Sequence, residues 1–147
     1  MRTPKAVPVL LRHAPTGTEI LVFEHPQAGV QLVKGTVEPS ESVSEAAMRE
    51  LREESGVADA VCVGDLGTWE SCPQGQVWYF REIRVASSLP DTWEHFTIDG
   101  GGHLFKFHWH RLTDEPANNW HPVYVAALDF VRQALGASGS SAARGAA

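Results

Sequence analysis

The sequence predicts an α/β domain, a mixed β-sheet with one helix on each face. Three observations carry that prediction. Strand-like segments precede and follow one well-capped helical segment, and an amphipathic helical segment closes the pattern. The cleanest strand is Phe105 to His110, where Phe105, Phe107 and Trp109 alternate with Lys106, His108 and His110. With 147 residues, 43% hydrophobic and 20% charged, the chain suits one domain rather than two.

Ala6 to Arg12 and Glu19 to Glu24 read as strands joined by a turn around Pro15-Thr16-Gly17. After a loop from His25 to Gly29, Val30 to Lys34 forms a short strand. Gly35 then suits a tight bend where backbone carbonyls come close to an ion. Ser42 followed by Glu45 is a capping box, good helix formers run from Ala46 to Glu54, and Gly56 suits a left-handed cap. A helix over Val43 to Ser55 follows. Ala60 to Glu70 and Gln76 to Ala86 read as a hairpin closed by Ser71 to Gly75, and Ser87 to Gly102 as a long irregular segment. Pro122 starts a final helix whose apolar stripe is Tyr124, Ala127, Leu128, Val131 and Leu135. Residues 1–135 make the domain. Residues 136–147 are Gly, Ala, Ser and one Arg, and read as a disordered tail.

One stripe of the first helix carries the chemistry. Val43, Ala46 and Ala47 share a face that continues through Glu50, Glu53 and Glu54. Like charges at this spacing cost a few tenths of a kcal/mol when solvated and more when buried, and the helix C-terminus already disfavours them. A cation against the stripe resolves the conflict, and carboxylates without a nearby thiol suit Mg²⁺ or Mn²⁺. Taken alone, the three glutamates are equally a solvated acidic helix end.

The wider stretch separates the two readings. Gly35, five residues, Glu41, seven residues, then Arg49-Glu50-Leu51-Arg52-Glu53-Glu54-Ser55-Gly56-Val57 resembles the Nudix box at every defining position. The layout of strands, box helix, strands and terminal helix also looks like the Nudix α/β/α sandwich, with the box helix on one face and the C-terminal helix on the other. The resemblance implies metal-dependent hydrolysis of the pyrophosphate linkage in a nucleoside diphosphate linked to another group. ADP-ribose, a dinucleoside polyphosphate and a nucleoside triphosphate all fit that description.

By the same resemblance Glu50, Glu53 and Glu54 hold the metal, with a backbone carbonyl of Lys34 or Gly35 as a further ligand. Arg49 orients Glu53, Glu41 supports the loop, and Leu51 and Val57 seat the helix on the sheet. The general base is Glu53 or an acid outside the box. The outside candidates are Glu94, which Trp93 and Phe96 could anchor, and Asp99. Two hints about substrate disagree. Pro73, sixteen positions after Val57, is placed as in the ADP-ribose group. Val33-Lys34-Gly35 is one residue from a tripeptide seen in dinucleoside polyphosphate hydrolases. Substrate-binding residues are not assigned.

Net charge of −6 gives no basic patch for a long nucleic acid. Nothing resembles a signal peptide and no apolar run approaches membrane-spanning length, so the expected location is the cytoplasm. A homodimer is compatible with the resemblance. Cys62 and Cys72 form no metal-ligand pattern and read as packing residues or idle thiols. Trp69, Trp78 and Trp93 offer stacking surfaces but read first as core, and His108 and His110 as strand-surface residues. Two other functions share the fold. A non-catalytic nucleotide-binding or regulatory module would usually lack box glutamates, and an isopentenyl diphosphate isomerase would need a cysteine beside the metal and a longer chain.

Overall fold

The computed structural model describes residues 2–70, 73–98 and 101–146, with side chains as far as Gly136, Pro73 apart. Its strands are β1 (Thr3–Ala14), β2 (Gly17–His25), β3 (Gly29–Gln31), β4 (Gly35–Thr36), β5 (Ala60–Trp69), β6 (Gln76–Val85), β7 (Thr92–Thr97) and β8 (His103–Arg111). The helices are α1 (Val43–Ser55) and α2 (Pro122–Ala146). The strands join in the order β5-β6-β1-β2-β8-β7, with β3 against β2 and β4 against β1.

β1 is the hinge of this sheet. Thr3 to Leu10 pair in parallel with β6, and Leu11 to Ala14 pair antiparallel with β2. The run Ala6 to Leu11 is apolar at every position because both of its faces are covered. Val7, Val9 and Leu11 pack in the cluster that holds Tyr124, Leu128 and Val131 of α2. Ala6 and Leu10 pack in the cluster that holds Ala46, Ala47 and Leu51 of α1. The period-two alternation of a strand thus divides one apolar run between two cores. Leu51 is fully buried, and cutting such a side chain to alanine costs about 2–5 kcal/mol.

The α/β/α expectation holds, and so does the β5–β6 hairpin, whose register places Trp69 opposite Trp78. The segment Ser87 to Gly102, read from sequence as irregular, instead contains β7, paired along its whole length with β8. Pro90 and the glycine run flank this strand and hid its alternation of Trp93, His95 and Thr97 with Glu94 and Phe96. α2 spans Pro122–Ala146. No helix among the described residues is long and apolar enough to cross a membrane.

Candidate active site

α1 is placed by its ends. At the N-terminus the Glu45 N–H donates to Ser42 Oγ at 3.1 Å and the Ser42 N–H donates to Glu45 Oε1 at 2.8 Å. At the C-terminus Gly56 takes φ +82°, and its N–H donates to the Arg52 carbonyl at 2.9 Å. β7 docks on the same end. Trp93 Nε1 donates to the Ser55 carbonyl at 2.9 Å and His95 Nε2 donates to the Glu53 carbonyl at 3.1 Å. Two carbonyls that a helix terminus would leave orphaned are thereby satisfied. Sequence reasoning missed this role of Trp93 and His95 because β7 itself was missed.

Arg49 sits at the centre of the carboxylates. Its Nε and Nη2 grip both oxygens of Glu41 at 3.0 and 2.6 Å, and Nη2 also donates to the Thr36 carbonyl at 2.9 Å. Its Nη1 donates to Glu50 Oε1 at 2.8 Å and to Glu53 Oε2 at 3.2 Å. Every N–H of the guanidinium therefore has an acceptor. The pairing raises the Arg49 pKa. Chiefly through its bonds from Arg49, with a second contribution from a backbone bond at Glu38, Glu41 is held down at about 2. The expected Arg49–Glu53 ion pair is present, and Glu41 and the Thr36 carbonyl share the Arg49 guanidinium.

Glu50 is buried, at 7% exposure, and its carboxylate lies against Gly35. A β-carbon on Gly35 would fall 1.9 Å from Glu50 Cδ, so only glycine leaves this space. Glu53 is exposed. Glu54 lines a cavity of about 270 Å³ together with Lys34, His25, His103 and Phe105. His25 accepts the Gln27 N–H on Nδ1 at 3.0 Å. Burial first, and the neighbouring His103 second, push its pKa below the ordinary value. It therefore presents a neutral ring.

Among the described residues no three His, Cys, Asp or Glu side chains converge closely enough to hold an ion as they stand. Arg49 occupies one oxygen each of Glu50 and Glu53. The donor set nonetheless fits a hard cation: carboxylate oxygens on one helix stripe, beside a glycine whose missing β-carbon leaves its space to the Glu50 carboxylate. Glu53, with a side chain 43% exposed, has room to swing towards its neighbours.

The other sequence candidates fall elsewhere. Trp93 and His95 face α1, so Glu94 between them faces away, opposite Lys106 of β8. It is not brought to the carboxylates. Asp99 and Cys72 lie outside the described residues. Cys62 contacts Ser44 in the first turn of α1, its Sγ 3.4 Å from Oγ, at the opposite end from the glutamates. Trp78 is buried and meets Trp69 edge-on at 5.3 Å, while Trp93 stacks on Phe107 at 5.2 Å, so these rings pack as expected. His110 is a strand residue meeting Trp120, and His108 is half-buried, its pKa lowered chiefly by that burial.

The fold is shared with solved structures. An ADP-ribose pyrophosphatase from Streptococcus suis superposes with a TM-score of 0.68 at 14% identity, over 94% of this chain and 92% of that one. The Ap4A hydrolase of C. elegans gives 0.60 at 18%, over 93% and 98%. The Nudix hydrolase RenU of M. smegmatis gives 0.65 at 16%, over 92% and 88%. At these identities the likeness is one of fold. No curated relative matches at a significant level. The family model for the NUDIX domain matches residues 2–128, which take in the whole glycine, glutamate and arginine constellation described above. The chain belongs to the Nudix hydrolase family.

Proposed function

We propose that this Nudix hydrolase cleaves the pyrophosphate linkage of a nucleoside diphosphate joined to a second group, in a reaction dependent on Mg²⁺ or Mn²⁺. The observation that carries this reading is the Glu50 carboxylate held between Gly35 and Arg49, at the end of a stripe that continues into Glu53 and Glu54. Similarity to an ADP-ribose pyrophosphatase and to an Ap4A hydrolase supports a nucleotide substrate.

Glu50, Glu53 and Glu54 would hold the ion, with the carbonyl of Lys34 or Gly35 as a further donor. When bound, it supplies charge neutralisation and polarisation of the phosphate oxygens. The chain's own residues do the rest. Glu53 is the exposed carboxylate of the three, and it takes the proton of the attacking water. Arg49 orients Glu50 and Glu53 through its Nη1. Glu54 faces the cavity and sets where the diphosphate lies. Lys34, which lines the same cavity, meets phosphate oxygens as a point charge.

The test is phosphate-coupled hydrolysis of ADP-ribose, dinucleoside polyphosphates, nucleoside triphosphates, nucleotide sugars and NADH, each with Mg²⁺, with Mn²⁺ and with chelator. Cleavage of one class that chelator abolishes is the expected result. A silent panel with nucleotide binding intact would identify a binding module instead.

A further inference from the structure

The sheet is covered unevenly. The apolar cluster that holds α2 takes in residues of β1, β2 and β6 but none of β7 or β8. Trp93, Phe105 and Phe107 instead pack in the cluster that holds α1. Strand alternation therefore turns Glu94 and Phe96 of β7, with Leu104 and Lys106 of β8, to the face away from α1.

That face is apolar at one end and charged in the middle. Phe96, Leu104 and Ile98 are exposed by 61%, 43% and 83%. Phe96 stands opposite Leu104 in the register, and Glu94 stands opposite Lys106, the next pair along the same face. A β-carbon on Gly102 would fall 2.8 Å from Phe96 Cζ, so the ring rests on bare glycine backbone. An aromatic surface held in this way loses little freedom when a partner covers it. Although Glu94 and Lys106 are cross-strand partners, neither makes an ion pair or hydrogen bond among the described residues. A hollow of about 490 Å³ opens beside them, lined also by Thr92 and His108.

Exposed apolar side chains grouped in this way mark a contact surface. The register decides what fits it, because each of these pairs joins apolar to apolar or acid to base. A two-fold axis along the strands, between β7 and β8, lays β7 of one copy over β8 of another. Glu94 then meets Lys106 of the second copy, Phe96 meets its Leu104, and the symmetry repeats both contacts. Stacked sheets lie about 10 Å apart, a gap that a glutamate and a lysine close by reaching towards each other. The face complements itself in charge and in shape, which singles out a second copy of this chain as its occupant.

We propose that the outer face of β7 and β8 is a symmetric dimer interface, held by Phe96 against Leu104 and by two reciprocal Glu94–Lys106 pairs. An interface two strands wide belongs to the weak, reversible class, with a dissociation constant of roughly 1–100 μM. β7 also holds the end of α1 through Trp93 and His95, so the second copy backs the strand that fixes that helix. The interface stands or falls independently of the hydrolase reading.

The test is sedimentation equilibrium of the full chain from about 1 to about 200 μM. Wild type is compared with Phe96→Ser, Glu94→Lys, Lys106→Glu and the double swap that combines the last two. All three positions are exposed, and a thermal melt checks that each variant folds. Wild type should dimerise. Phe96→Ser should weaken the dimer at least about tenfold by removing its aromatic anchor. Each single swap should do the same by setting like charges face to face, and the double swap should return to within about threefold of wild type. A monomer at every concentration overturns the interface. So does a dimer indifferent to Phe96→Ser, or a double swap as weak as the single ones.

Discussion

The carboxyl carbon of Glu50 lies 1.9 Å from where a β-carbon on Gly35 would sit. Gly35 is not among the residues of positive φ, so its need for glycine is a need for space. Gly35→Ala should therefore separate activity from stability. The obstructing atoms end a flexible side chain, which can move aside at small cost to the fold. Moving it breaks the Arg49–Glu50 pair and misplaces a carboxylate proposed to hold the ion. Turnover should fall about 100-fold, as a 1 Å misplacement can cost, with the melting temperature lowered by no more than about 5 °C. Steady-state kinetics beside a thermal melt checks both.

Glu41 and Arg49 make the strongest ion pair at the site. The Glu41 pKa is lowered from 4.5 to about 2 in the folded chain. A lowered carboxylate stabilises the fold above its unfolded pKa, and that stabilisation is lost as pH falls through the folded one. The melting temperature should thus decline between about pH 4.5 and about 2 more steeply in wild type than in Glu41→Gln. Parallel slopes would remove Glu41 from the account.

Glu53 and Glu94 were both candidates for the general base, and the two are now separable. Glu53→Gln should lower kcat by about 10²- to 10⁴-fold, the range for a lost general base. Glu94→Gln should leave kcat within about twofold, because the strand alternation turns Glu94 away from α1. A large loss in Glu94→Gln alone would transfer the role to β7.

Val131 is fully buried and Leu135 packs against the α2 core, whereas the residues that follow are Gly, Ala, Ser and one Arg. We expect truncation after Leu135 to leave the melting temperature within about 2 °C and the activity unchanged. Truncation before Val131 should unfold or strongly destabilise the chain, since it removes a buried side chain and the last packed turn. Melting curves of the two truncations decide where the domain ends.

Much of the molecule is legible without coordinates because its signals are local. The capping box at Ser42 and Glu45, the left-handed glycine at 56 and the aromatic alternation of β8 each involve residues within a few positions of one another. The box spacing adds chemistry to that frame, and Arg49 with Glu53 is an i, i+4 pair that any helix would bring together. The strand β7 was not legible, because Pro90 and the glycines around it read as a loop and its pairing partner is supplied from β8.

By itself, then, the sequence determined most of the elements and the stripe of carboxylates on α1. Tertiary structure decided what meets that stripe. It set the Gly35 backbone against Glu50, ran the Arg49 guanidinium to the Thr36 carbonyl, and turned Glu94 outward. It also brought Gln31 to Gln74 and Gln76, from a distant stretch of the chain, to line one cavity. Helix periodicity and capping depend on neighbours along the chain. Which strand edge closes over a helix end, and which side chains share a cavity, depends on how whole layers pack, and that follows only from the complete set of long-range pairings.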